Sequence, residues 1–265
     1  MPMTAQTTYQ RADSIMICRL LKQAPKDAEP LWFARQFLGV PYVAHTLEVN
    51  DTEQLVVNTR QLDCTTLVET VTALTLCVRQ NKRTWDGYTD ALRRLRYRSG
   101  LCVDYPSRLH YFTDWIADKE KIGLVNEVQV PNPPFTAVQK IAVSYMSEHP
   151  LSYKALKEHP EFVPVIRQQE QALTGKTFRY IPKSAVRNTK LLRQTVHDGD
   201  IIAITCNKKG LDIAHLGFAV WRKDGLHLLN ASQIHKKVVE EPMTFRQYLA
   251  RHKSHTGFRV VRIKN

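Results

Sequence analysis

Residues 62–78 read LDCTTLVETVTALTLCV. Leu67, Val71, Leu74 and Val78 recur there at intervals of four, three and four, the spacing of one buried face of an α-helix. Asp63 is a good N-cap, and in that role it puts Cys64 in the first turn. Thr66 followed by Glu69 fits a capping box instead, which would start the helix after the cysteine. The choice matters chemically. A cysteine in the first turn faces the positive end of the helix dipole, which favours thiolate over thiol. Nucleophilic catalysis needs that state near neutral pH. The bland alternative is a buried cysteine that helps pack the helix.

Upstream, Ser14–Lys22 and Leu31–Leu38 carry apolar sets of helical character, separated by Pro25 and Pro30. The segment LGVPYVAHTLEVN then reads as extended, since Pro41 lacks an N–H and sits among β-formers. Downstream, Trp85–Arg96 reads as an amphipathic helix with a basic outer face. Residues 97–134 read as loop-rich, Val138–Met146 resumes a helical pattern, and the stretch from His149 to Lys183 is polar and broken by four prolines.

The C-terminal third is β-rich. Asp200–Cys206 is a strand after a turn-like His197-Asp198-Gly199. Ile213–Trp221 and Leu226–Ala231 flank Arg222-Lys223-Asp224-Gly225, a hairpin signal, and Phe258–Ile263 is a last strand. Helices first and a meander later predict an α+β fold rather than alternating βαβ units.

The hairpin holds the second chemical signal. In AHLGFAV from Ala214, Leu216, Phe218 and Val220 share one face. His215 shares the other with Gly217 and Ala219, residues small enough to leave a cleft beside the imidazole. If Trp221 pairs with Leu226, Gly217 pairs with Asn230, and Asn230 becomes a diagonal neighbour of His215. A one-residue slip would put it on the opposite face. A cysteine at a helix start, a histidine on a later strand and an amide on the next strand form a cysteine-hydrolase constellation. The thiolate attacks, the histidine shuttles the proton, and the amide fixes the imidazole tautomer. Cys102 is the rival nucleophile, but Gly100 and Asp104-Tyr105-Pro106 place it in a loop without helix-dipole support.

Taken together, FLGVPYVAHTLEVN from Phe37, LDCTTLVETVTAL from Leu62, YPSRLHYFTDW from Tyr105, GDIIAI from Gly199, DIAHLGFAV from Asp212 and LLNAS from Leu228 resemble the NlpC-type papain-like hydrolases of bacterial cell walls. The closer resemblance is to their N-acetylmuramoyl-L-alanine amidase-like branch, over most of the chain from about residue 31. It implies a papain-like α+β fold with the nucleophile at the start of a helix packed on an antiparallel sheet. It implies one catalytic domain over residues 1–265, with a helical segment to about 40 and an inserted loop-rich and helical region over about 97–190. The same resemblance makes Cys64 the nucleophile, His215 the general base and acid, and Asn230 the orienting member. It places Tyr42 beside the nucleophile, and Asp63, Ser107 and Arg108 near the cleft as substrate contacts. His45 departs from the pattern, standing where glycine is expected, so the loop after Tyr42 is expected to differ.

The implied reaction is hydrolysis of the amide joining the lactyl group of N-acetylmuramic acid to L-alanine, in peptidoglycan or muropeptides, with no metal or cofactor. Two alternatives compete. One is cleavage between γ-D-glutamate and the diamino acid by the same fold. The other is a non-catalytic, basic wall-binding or nucleic-acid-binding module.

Composition bears on these choices. The 265 residues suit one large domain or two small ones, and 38 Lys and Arg against 25 Asp and Glu give +13. Such a field favours anionic partners. No helix-turn-helix, zinc-finger or RNP-like pattern is present and the basic residues are dispersed, which argues against nucleic acid. The charge is better read as steering toward carboxylate-rich stem peptides or an anionic envelope. Cys18, Cys64, Cys77, Cys102 and Cys206 are odd in number, widely spaced and without a CxxC pair, so neither a disulfide scaffold nor a zinc site is expected. No apolar run approaches the roughly 20 residues of a membrane-spanning helix. The opening MPMTAQTTYQ has neither a basic nor an apolar leader region. A wall substrate therefore implies a periplasmic or secreted enzyme whose leader is missing from this numbering.

Overall fold

The fold is a computed structural model that describes residues 6–264; the first five residues of the segment read for a leader lie outside the described residues. The N-terminal part runs β1 (Thr7–Thr8), α1 (Arg11–Gln23), α2 (Pro30–Arg35), β2 (Leu55–Val56), α3 (Cys64–Arg79) and α4 (Trp85–Arg96). Helix α1 buries Ile17, Leu20 and Leu21, three and four residues apart, so they form one stripe. Pro30 opens α2, where its missing N–H costs nothing. The Thr84 hydroxyl caps α4 by accepting the Gly87 N–H at 3.0 Å.

Helix α3 departs from the expectation of one buried face: every residue from Thr66 to Val78 is buried. It packs against α1, α2 and α4 and against two strands of the sheet, so no side is left for water. Each large apolar side chain buried there stabilises the fold by roughly 1.5–3 kcal/mol. The basic outer face of α4 also needs correction. Arg96 turns inward, 3 % exposed, and pairs with Glu69 of α3 at 2.8 Å while donating to the Val56 carbonyl.

The middle of the chain is α5 (Phe112–Lys121), β3 (Val125–Val128), β4 (Ala137–Lys140), α6 (Tyr145–Glu148), α7 (Lys154–Glu158), α8 (Phe162–Leu173), β5 (Thr177–Pro182) and α9 (Lys190–Thr195). The loop-rich reading of 97–134 thus missed a helix and a strand. The helical reading of Val138–Met146 fails at its start, because Ala137–Lys140 pairs antiparallel with β5. The C-terminal part is β6 (Ile201–Cys206), β7 (Ile213–Arg222), β8 (Gly225–Ser232), β9 (Lys237–Glu240), α10 (Phe245–Arg251) and β10 (His255–Ile263).

The large sheet has the order β4-β5-β10-β6-β7-β8-β9, with β3 also on β10, and all of its pairings are antiparallel. This is the α+β arrangement. Leu216, Phe218, Leu229 and Ala231 face the cluster built on α3. Ile204, Leu228, Phe258 and Val260 face a second cluster with Phe245 and Leu249 of α10. Period two thus gives the sheet two apolar faces with a helix on each. Among the described residues no helix is long and apolar enough to cross a membrane.

Candidate active site

Asp63 decides where α3 begins. Its backbone is extended, and its carboxylate accepts the Thr66 N–H at 2.8 Å while the Thr66 hydroxyl accepts the Asp63 N–H at 2.9 Å. This reciprocal box makes Cys64 the first helical residue. The competing Thr66–Glu69 box does not form, because Glu69 is committed to Arg96. Tyr42 is brought toward Cys64 by a parallel bridge to Leu62, with the Leu62 N–H donating to the Pro41 carbonyl and the Val43 N–H to the Leu62 carbonyl. Burial, then the nearby Cys64 and Asp63, push the Tyr42 hydroxyl above its usual range. His45, three residues on, has φ 61°. That is the left-handed region glycine favours, so the backbone expected of a glycine is kept with a histidine in it.

The hairpin register is the one expected: Trp221 pairs with Leu226 and Phe218 with Leu229. Arg222 and Gly225 also pair, leaving a two-residue turn. Gly217 and Asn230 therefore share the face opposite Phe218, and His215 joins them two residues earlier. A bulge at Ala214, where β7 slips against β6, bends the strand beside His215. The imidazole Nε2 lies 2.9 Å from Asn230 Oδ1. An amide oxygen only accepts, so Nε2 carries the proton and Nδ1 is the free base nitrogen. Gly217 does not leave a cleft, however. A Cβ there would stand 2.6 Å from the Leu229 carbonyl oxygen and 2.7 Å from Leu228 Cδ1, so the glycine admits the neighbouring strand.

Cys64 and His215 line one cleft of about 190 Å³, with Thr65, His110, Tyr153 and Asp212 among its other walls. Burial pushes the Cys64 thiol up to about 12, and the Asp63 carboxylate adds to this; the Leu216 backbone and Thr65 oppose it. The helix start alone favours thiolate, but here burial and Asp63 outweigh it. Burial also lowers His215 below its ordinary value, against the opposing pull of Asn230 and Glu241. At neutral pH the cysteine is therefore a thiol and the imidazole is neutral.

The structure does not bring Ser107 and Arg108 to this cleft. The Ser107 hydroxyl closes a turn on Asp104 and accepts the Val103 N–H at 3.1 Å. Arg108 is 5 % exposed, pairs with Glu48 at 2.7 Å and approaches Glu53 at 3.8 Å. Its guanidinium lies over the Tyr105 ring, and Tyr105 in turn stacks on His110 and takes a hydrogen bond from it at 2.9 Å. Arg108 thus supports the cleft wall from behind. His110 and Asp212 are cleft residues that sequence reasoning missed, although both lie inside motifs quoted above. His110 is pushed down to about 3 by burial and by Arg108, so it is neutral. Asp212 accepts the Thr113 N–H in the first turn of α5 at 2.8 Å. Cys102 does not line this cleft.

The profile of the AmiA-like, N-acetylmuramoyl-L-alanine amidase-like family matches residues 32–257. The chain belongs to this family. Among solved structures, an N-acetylmuramoyl-L-alanine amidase from Bacteroides uniformis ATCC 8492 is 40 % identical with a TM-score of 0.84, over 91 % of this chain and 99 % of that one. A Bacteroides fragilis protein provisionally described as a xylanase is 42 % identical with a TM-score of 0.81, over 87 % of this chain and 99 % of that one. A Legionella pneumophila protein at 21 % identity and TM-score 0.73, over 95 % and 94 % of the two chains, shares the fold. A search of curated proteins finds no match. Family membership makes this chain a hydrolase of the amidase type directed at the cell wall.

Asn230 is fully buried behind the imidazole. If the contact between Asn230 and His215 orients the imidazole for catalysis, Asn230→Ala is expected to lower kcat about 10- to 100-fold with KM little changed. Steady-state kinetics on a muramoyl peptide checks this.

Proposed function

We propose that this protein is a cysteine-dependent N-acetylmuramoyl-L-alanine amidase of papain-like fold, acting outside the cytoplasm on peptidoglycan or its muropeptides. The observation that carries the reading is Cys64 at a helix start in one cleft with an imidazole whose Nε2 is tied to Asn230, in a chain of the amidase-like family.

In this mechanism His215 Nδ1 takes the Cys64 proton as sulfur attacks the lactyl carbonyl carbon. The Thr66 N–H is held by Asp63, so the N–H groups of Cys64 and Thr65 are the helix-start donors offered to the oxyanion. The tetrahedral adduct collapses by breaking the C–N bond, and the His215 imidazolium gives its proton to the leaving alanine nitrogen. His215 then deprotonates a water that hydrolyses the thioester and returns the thiol. Tyr42 and Asp63, beside the sulfur, are the proposed substrate contacts. The charge of +13 draws carboxylate-bearing stem peptides toward the site.

A xylanase reading fits the site poorly. Glycoside hydrolysis uses two carboxyl groups across the scissile bond, whereas Asp212 is the one carboxylate among the described residues lining this cleft, and it is engaged by the Thr113 N–H. Mass spectrometry of digested muropeptides tests the proposal. Peptides beginning with L-alanine, released together with the lactyl sugar, are the expected products. Dipeptides ending in γ-D-glutamate would replace the amidase with the endopeptidase.

A further inference from the structure

Behind Asn230 stands a buried carboxylate that the reaction just described does not use. Glu241 follows β9, and its N–H extends the ladder by donating to the Leu228 carbonyl at 2.8 Å. Because Asn230 pairs with Val239, period two puts Glu241 on the face of β9 that Asn230 occupies on β8. The residue is 1 % exposed. Its Oε1 accepts from Asn230 Nδ2 at 3.0 Å, and its Oε2 lies 3.1 Å from Nε2 of the half-exposed His235. Burying an ionised carboxylate costs several kcal/mol unless it is paired and hydrogen-bonded, so its place directly behind the active-site amide calls for a reason.

Hydrogen-bond chemistry supplies one. A carboxylate only accepts, so Glu241 requires the NH₂ end of Asn230 on its side. The oxygen end then faces His215, and an oxygen there requires the proton on Nε2. Nδ1 is left as a lone pair. Without Glu241 the amide is free to flip by 180° and donate to Nε2, which places the imidazole proton on Nδ1 and removes the base. We infer that Glu241 is a positioning residue that fixes the tautomer of His215 through Asn230, with His235 closing the chain at the surface.

The same carboxylate acts on the imidazole through its charge. His215 faces Asp63 from the N-cap of α3 and Glu241 from the end of β9, both of which favour the imidazolium, and His252 from the C-cap of α10, which disfavours it. His255 of β10 stands beside His252 and also feels His215, with Lys183 and Lys208 beyond it. Tyr248 of α10 feels both Glu241 and Cys64. Removing the Glu241 charge therefore lowers the proton affinity of His215. A general base works when neutral, so the acid limb of kcat/KM moves to lower pH while the plateau falls.

This inference rests on His215 acting as the base for Cys64, and the test separates the two. Wild type, Glu241→Gln, Glu241→Ala and Cys64→Ala are compared as full chains on a muramoyl peptide, and the His215 ring nitrogens are read by ¹⁵N NMR. Glu241→Ala is expected to lower kcat about 10- to 100-fold at unchanged KM, with His215 shifting from the Nε2–H form to a mixture of tautomers. Glu241→Gln is nearly isosteric and can still accept from Asn230, so it is expected to keep the Nε2–H form. Its acid limb is expected to move down by about one pH unit. A merely structural role lowers activity without moving that limb, and that result overturns the inference even if Glu241→Ala does not fold. Wild-type kcat and tautomer in Glu241→Ala overturn it equally. Full activity in Cys64→Ala overturns the catalytic reading instead, while the NMR comparison still decides the link from Glu241 to His215.

Discussion

Cys64→Ala is expected to abolish release of the stem peptide, lowering turnover by at least about 10⁴-fold, while the protein still melts within a few degrees of wild type. The kinetic half follows from the absence of a second thiol in the cleft: Cys102 lies elsewhere, Cys77 and Cys206 are buried, and Cys18 is on the surface. A water activated by His215 lacks the held geometry of a first-turn side chain. The stability half follows from what the substitution leaves in place. The Asp63–Thr66 box belongs to the cap rather than to the sulfur, and Cys64 is half-buried, so the cost is on the order of 1 kcal/mol. Muropeptide mass spectrometry and a thermal melt measure the two halves. Retained hydrolysis would move the nucleophile elsewhere.

Glu69→Ala is expected to act in the opposite way, damaging the fold first. Glu69 and Arg96 are 1 % and 3 % exposed in a pair of 2.8 Å, and the Glu69 carboxylate holds the guanidinium charged against the pull of burial. Truncating the carboxylate leaves that cation buried with the Val56 carbonyl as its hydrogen-bond partner. Breaking one side of such a pair costs about 3–5 kcal/mol, a large share of a typical total stability, and corresponds to a fall in Tm of roughly 10 °C. Replacing both residues by methionine is expected to recover most of the loss, because two apolar side chains need no partner. Thermal and denaturant melts of the single and double variants check this. A single variant as stable as wild type would mean that water reaches Arg96.

The parts of the fold legible in the sequence were those decided locally. The spacing of Leu67, Val71, Leu74 and Val78, the Asp63 cap and the Lys223-Asp224 turn are each written within a few residues, and they place Cys64, His215 and Asn230. Helix α5 was equally local, since Phe112, Trp115, Ile116 and Lys119 are its buried stripe, but the prolines on both sides hid it. Helix α8 was hidden by Pro164, which sits harmlessly in its first turn. Strand β4 was not local. Its alternation is set by pairing with β5, some forty residues away. Arg96 was read as surface because nothing near it in sequence announces Glu69. Glu241 left no trace at all, since a single acidic residue acquires meaning only when three strands come into register. Gly217 misled for a related reason: its size answers to Leu228 and Leu229 across the hairpin, not to a ligand.

The all-round burial of α3 also governs how the site is lost. Amide protons from Val68 to Val78 sit in a helix buried on every side and are expected to exchange with solvent through opening of the whole packed unit rather than through local fraying. Cys64 opens that segment, so it is expected to stay in place until the whole unit unfolds, and heat inactivation measured beside a thermal melt is expected to track global unfolding.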